Sequence, residues 1–134
     1  MHKEPRKGEN AIINILAVGI GGFVGAASRY AAGAAIAGYF AAPAATFFIN
    51  AAGSLLIGAV SVTAQRYAMS GHPAVLLLQA GFCGGFTTFS TFSLEMFTLM
   101  AEGRPATAAA YAAASVLCCI ACVAAGRAAM NLVI

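Results

Sequence analysis

Residues 81 to 95 read Gly81-Phe82-Cys83-Gly84-Gly85-Phe86-Thr87-Thr88-Phe89-Ser90-Thr91-Phe92-Ser93-Leu94-Glu95. The stretch closes a long run without formal charge, yet it carries three glycines and five hydroxyl side chains before Glu95. That is too polar and too glycine-rich for a helix turned toward hydrocarbon. Gly84-Gly85 followed by Thr87-Thr88 predicts a helix broken in mid-span, and a break exposes carbonyls that lipid cannot satisfy. Those carbonyls must be paired, hydrated or bound to a cation, and carbonyl oxygen suits a hard alkali cation.

The rest of the chain makes lipid the relevant solvent. Of 134 residues, 61% are hydrophobic and 8% charged, where a soluble domain carries about 25% charged residues. Seven Lys plus Arg against four Asp plus Glu give a net charge of +3. So few charges exclude an ordinary water-soluble domain, and the scattered basic residues exclude a nucleic-acid footprint. Between charges lie runs of 19 residues (10 to 28), 36 (30 to 65), 28 (67 to 94) and 22 (105 to 126). A helix needs about 20 apolar residues to cross a bilayer. The longest run divides at Gly38 and Pro43, so the expected fold is an all-α membrane protein of four transmembrane helices. They span roughly 11 to 34, 45 to 66, 74 to 100 and 106 to 131, as one domain over 11 to 134 behind a polar tail over 1 to 10. The basic head and apolar run at the start resemble a signal peptide, but the run is too long for one and reads as a retained helix.

With four spans, Lys3, Arg6, Lys7, Arg66 and Arg127 share one side, and Arg29 and Arg104 the other, a count of five against two. Without the tail the count is two against two. So weak a bias admits insertion both ways and an antiparallel homodimer.

Within the spans, Gly21-x-x-x-Gly25 and Gly81-x-x-x-Gly85 place small residues on helix faces where backbones approach closely. Cys119-x-x-Cys122 has a metal-like spacing, but without a nearby histidine or second pair it reads as apolar filling. Phe89 and Phe92 share a helix face, with Ser90, Thr91 and Ser93 beside them. Ring edges are positive and favour an anion, although the same spacing also serves simple packing. Asn50 lies within span two, where an amide faces the bundle interior or a water-filled path. In span four, Tyr111, Ser115 and Cys119 recur every four residues and form a polar line; interhelical hydrogen bonding is the alternative role. Arg29 is expected to end span one, either snorkelling to the interface or holding a positive potential at an anion vestibule. Nothing in the sequence points to catalysis or an organic cofactor, so the reading is not an enzyme.

The string Gly81 to Glu95 closely resembles the signature of the Fluc (CrcB) fluoride channels of bacteria. Gly21-Gly22-Phe23-Val24-Gly25-Ala26-Ala27-Ser28-Arg29-Tyr30 and Asn50-Ala51-Ala52-Gly53-Ser54 resemble that family's first- and second-span motifs, in the same order. The resemblance implies a passive fluoride-selective channel in the bacterial inner membrane, exporting cytoplasmic fluoride from an antiparallel dual-topology homodimer. It also implies a structural sodium ion held by backbone oxygens of Gly84 and Thr87. Carried over by position, Phe89 and Phe92 become ring-edge ligands, Asn50 a path-lining donor, and Tyr111 with Ser115 the polar track, while Ser90 and Thr91 line the fluoride path. Glu95 becomes a path-end or packing residue. Two other classes stay open on the residues alone. A proton-coupled small transporter would need a deep carboxylate, for which Glu95 is the candidate. An interaction subunit without transport would leave the polar string of span three unexplained.

Overall fold

The computed structural model describes residues 7 to 40 and 42 to 134. Its architecture is all-helical among these residues, with four helical segments long and apolar enough to cross a membrane. Helix α1 runs Lys7–Ala37 and α2 runs Ala42–Arg66. The third span, Pro73–Ala101, divides into α3 (73 to 86) and α4 (Phe89–Ala101), and α5 runs Pro105–Val133.

Of the tail expected over 1 to 10, residues 1 to 6 lie outside the described residues, and 7 to 10 belong to α1. Nothing between Lys7 and Asn10 forbids helix, and propagation from an established turn is easy. Prolines mark the other starts. Pro73 and Pro105 each occupy a first-turn position, where the missing N–H costs nothing. Gly71 and Gly103 turn the chain with φ of 83° and 72°, a region open to glycine. These short connections make consecutive spans antiparallel. The start of α1, the end of α2, the start of α3 and the end of α5 therefore share one side.

The third span is broken within the expected motif, at its threonines and not at its glycines. His72 Nδ1 accepts the Ala74 N–H at 3.2 Å to start α3, which passes into a π-helical segment Leu77–Cys83 and ends with Gly84–Phe86. Gly84 and Gly85 remain helical. The break falls on Thr87 (φ −81°, ψ 159°) and Thr88 (φ −147°, ψ 119°). Here hydroxyls compete with the ladder. The Thr87 N–H and Oγ1 both donate to the Cys83 carbonyl, at 2.9 and 2.8 Å. Thr88 Oγ1 accepts the Thr91 N–H at 3.2 Å and caps α4.

The glycines serve close approach instead. An added methyl at Gly21 would collide with the Leu77 carbonyl, at Gly25 with that of Phe82, and at Gly81 and Gly85 with the backbone of α1. The two expected small-residue faces thus meet each other. A second seam joins α2 to α5, where Gly58 lies against the Val123 carbonyl and Gly126 against that of Leu55.

Candidate functional site

The break opens onto a groove of about 470 Å³ between α2, the third span and α5. Asn50, Gly53 and Ser54 line it from α2, Cys83, Gly84 and Thr87 from α3 and the break, Phe89 and Phe92 from α4, and Ser115 and Cys119 from α5. One cleft therefore gathers residues singled out in the sequence from three spans, among them Asn50, Gly84, Thr87, Thr88, Phe89, Phe92, Ser115 and Cys119.

Asn50 holds the break. Its Oδ1 accepts the Thr88 N–H at 2.8 Å, and its Nδ2 donates to the Thr88 carbonyl at 3.1 Å. The amide thus substitutes for a lost turn of helix, and a second Nδ2 proton remains for another acceptor. Because the Thr88 N–H is spent on Asn50, the Gly84 carbonyl lacks its ordinary helical donor four residues on. Gly53 makes room for this arrangement, since any side chain there would meet the Thr87 methyl. From the opposite side, Arg29 Nε donates to the Gly85 carbonyl at 3.0 Å. Arg29 does not end span one, because α1 continues to Ala37. Its guanidinium turns inward to a carbonyl freed by the break.

Phe89 and Phe92 lie 5.7 Å apart, centroid to centroid, and Phe92 lies 5.2 Å from the Tyr111 ring. Phe89 is 79% exposed within the single chain. The line along α5 has three different fates. Tyr111 donates to Glu95 Oε2 at 2.7 Å, Cys119 lines the groove, and the Ser115 hydroxyl is buried with no hydrogen-bond partner among the described residues. Ser90 and Thr91 stand apart from the groove lining. Their hydroxyls gather on Thr88 Oγ1, at 3.3 and 3.0 Å, and so belong to the cap of α4. Ser93 donates to the Phe89 carbonyl of its own helix, at 2.8 Å.

Sequence reasoning missed Thr46, whose Oγ1 donates to Glu95 Oε1 at 2.7 Å. With Tyr111, it gives Glu95 a hydroxyl donor on each carboxylate oxygen. The signal was present, since Thr46, Asn50 and Ser54 repeat every four residues on one face of α2.

Residues 16 to 127 match the family model described as CrcB-like protein, Camphor Resistance (CrcB). Among similar proteins, a fluoride-specific ion channel FluC of Chlorobaculum tepidum is 43% identical over 117 residues, covering 84% of this chain and 90% of its own. The fluoride-specific ion channel FluC of Nitrobacter winogradskyi is 43% identical over 115 residues, with the same two coverages. A third, fluoride-specific ion channel FluC 1 of Bradyrhizobium diazoefficiens, is 45% identical over 103 residues, covering 75% of this chain and 72% of its own. A match over most of the chain, on a four-span helical body whose third span breaks at the expected motif, makes this protein a member of the CrcB family.

Proposed function

We propose that the chain is a passive fluoride-selective channel of the bacterial inner membrane that lowers cytoplasmic fluoride. The observation that carries this reading is Ser115, 6% exposed, whose hydroxyl has no partner among the described residues and lies in a groove also lined by Phe92 and Asn50. A desolvated donor that shares a groove with an aromatic ring and a spare amide proton is suited to an anion that must shed tightly held water. The three relatives' shared name supports fluoride as that anion. Arg29 at the break adds positive potential behind it.

The working unit is an antiparallel homodimer. Asn50, Thr87, Thr88 and Ser115 line an open groove, and polar groups of this kind are not left facing hydrocarbon. A second copy inserted the other way would cover them, and the weak Lys/Arg bias permits it. The donor set at the break fits a structural sodium ion: Gly84 and Thr87 line the groove, and the neutral Gly84 carbonyl lacks its helical donor. Such an ion would supply compensation for carbonyls that the break leaves without donors.

The test is efflux from liposomes loaded with fluoride and chloride in sodium buffer, read by ion-selective electrodes. Rapid fluoride loss with chloride retained is expected. Retention of both ions by folded protein overturns the reading and leaves Glu95 with proton coupling as the next candidate.

A further inference from the structure

The groove extends along α2 and α5 past Ser54 and Cys119, to Ile57 and Ile120. On α2, Asn50, Ser54 and Ile57 line it. Continuing that stripe by four and eight residues from Ile57 reaches Ser61 and Gln65. On α5, Val116 and Ile120 line it. Eleven residues beyond Val116 and seven beyond Ile120, positions that return to the same helix face, stands Arg127. The two stripes meet at the guanidinium: Arg127 Nη1 donates to Ser61 Oγ at 2.9 Å and Nη2 to Gln65 Oε1 at 3.3 Å.

Three features set this cation apart. It is the sole formal charge in α5, and it lies six residues, ~9 Å, short of the helix end at Val133. It reaches across to α2, bonding Ser61 and, one residue short of that helix's end at Arg66, Gln65. Both of its partners are neutral, and the single ion pair among the described residues joins Arg104 to Glu102 on the opposite side. Two hydrogen bonds to neutral acceptors fix the guanidinium without cancelling its charge, and three of its five N–H donors remain. A half-buried, uncompensated arginine in a membrane helix is costly to keep, which points to a use. Glu95, clamped by Thr46 and Tyr111, lies beyond the break on α4, toward the opposite side of the membrane-spanning body from Arg127.

We propose that Arg127, held by Ser61 and Gln65, gathers anions on the side of the membrane-spanning body opposite Glu95. It raises their local concentration before they meet Cys119, Ser115 and the phenylalanines. The proposal rests on the channel reading above. A fixed charge acts through its field, so its effect is screened: the Debye length falls from about 30 Å at 0.01 M salt to about 3 Å at 1 M.

The experiment measures initial fluoride efflux from liposomes at about 10 mM and about 1 M ionic strength, set with sodium gluconate, for the parent protein, Arg127→Gln, Arg127→Lys and Gln65→Glu. The glutamine variant should lose efflux about three- to tenfold at low salt and converge on the parent at high salt. Lysine keeps the charge and should retain most of the flux. Gln65→Glu keeps every arginine contact but places a carboxylate beside the guanidinium. It should reproduce the low-salt loss, so the proposal stays testable if Arg127→Gln fails to fold. Equal efflux of Arg127→Gln and parent at low salt overturns the proposal, as does a deficit of the same size at both salts, which marks a packing role. A parent protein that passes no fluoride at either salt fails the channel reading itself, and the two failures are thereby distinct.

Discussion

The two halves of the third span have similar lengths and come from one apolar stretch, yet they are held in opposite ways. α3 is bound into its own chain: Gly81 and Gly85 set its backbone directly against Gly21, Gly22 and Gly25 of α1. α4 carries its bulk outward, with Phe89 79%, Leu94 64% and Phe97 66% exposed. Between them, the two extended threonines are stitched to α2 by the Asn50 amide. The difference teaches that side-chain size, more than hydropathy, divides anchor from working surface here. Where backbones must touch, the chain supplies glycine. Where α4 supplies rings, Phe89 and Phe92 face the groove and Phe97 a surface that the single chain leaves open.

The contrast is broken most severely from the anchored side. Gly25→Val forces two methyl groups into the Phe82 carbonyl, and backbone cannot yield as a flexible side chain does. We expect a cost beyond ~3 kcal/mol and little monodisperse protein on size exclusion in detergent. A well-folded Gly25→Val protein would show that the seam between α1 and α3 is looser than described. On the other side of the break, Phe89→Ile and Phe92→Ile keep bulk and apolarity but remove the ring edge. Each should fold normally and lose fluoride efflux by at least about tenfold, ~1.4 kcal/mol on the barrier. Unchanged flux would reduce the rings to packing.

Intermediate effects belong to the hinge itself. Thr88→Ala removes the hydroxyl that caps α4 but leaves the backbone groups that Asn50 clamps. Loss of such a cap costs ~1 kcal/mol. A drop of a few degrees in thermal midpoint is expected, and a cost as large as that of Gly25→Val would mean that the cap, not the amide, holds the break.

The four spans were legible because charge is so scarce. Each interruption is a charge, a proline or a glycine turn, and such marks are local. The broken third span was also legible, from residue types that lipid will not accept. Its mechanism was not. Gly84-Gly85 followed by Thr87-Thr88 marked the break, but which of these residues would leave the helix and which would admit a neighbour depends on what lies opposite each, a long-range fact. Thr87 and Thr88 do the breaking through hydrogen bonds to Cys83 and Asn50, and the second of these joins residues 38 apart. The same reason separates Phe89 and Phe92, found in the groove, from Ser90 and Thr91, which turn back onto Thr88. Spacing gives a face; it does not say which way a short hydroxyl will find its nearest acceptor. Thr46 shows the complementary case, a periodic signal on α2 that became meaningful once Glu95 stood opposite.

The smallest expected effect sharpens the comparison most, because it sets two adjacent glycines against each other. A methyl at Gly85 would press on the Gly22 carbonyl, whereas one at Gly84 would find the Gln79 carbonyl at an ordinary 4.0 Å. Gly84 has φ −63° and ψ −38°, a helical conformation that alanine prefers. Within the single chain, Gly84→Ala should therefore shift stability by no more than ~0.5 kcal/mol, while Gly85→Ala should cost about 1 to 3 kcal/mol. Thermal unfolding of both variants in detergent checks the pair. If Gly84→Ala instead proves as damaging as Gly85→Ala, the open side of the break is closed by something the single chain does not contain. A dilution series would then identify it: a second copy makes the loss depend on protein concentration, and an ion bound within one chain does not.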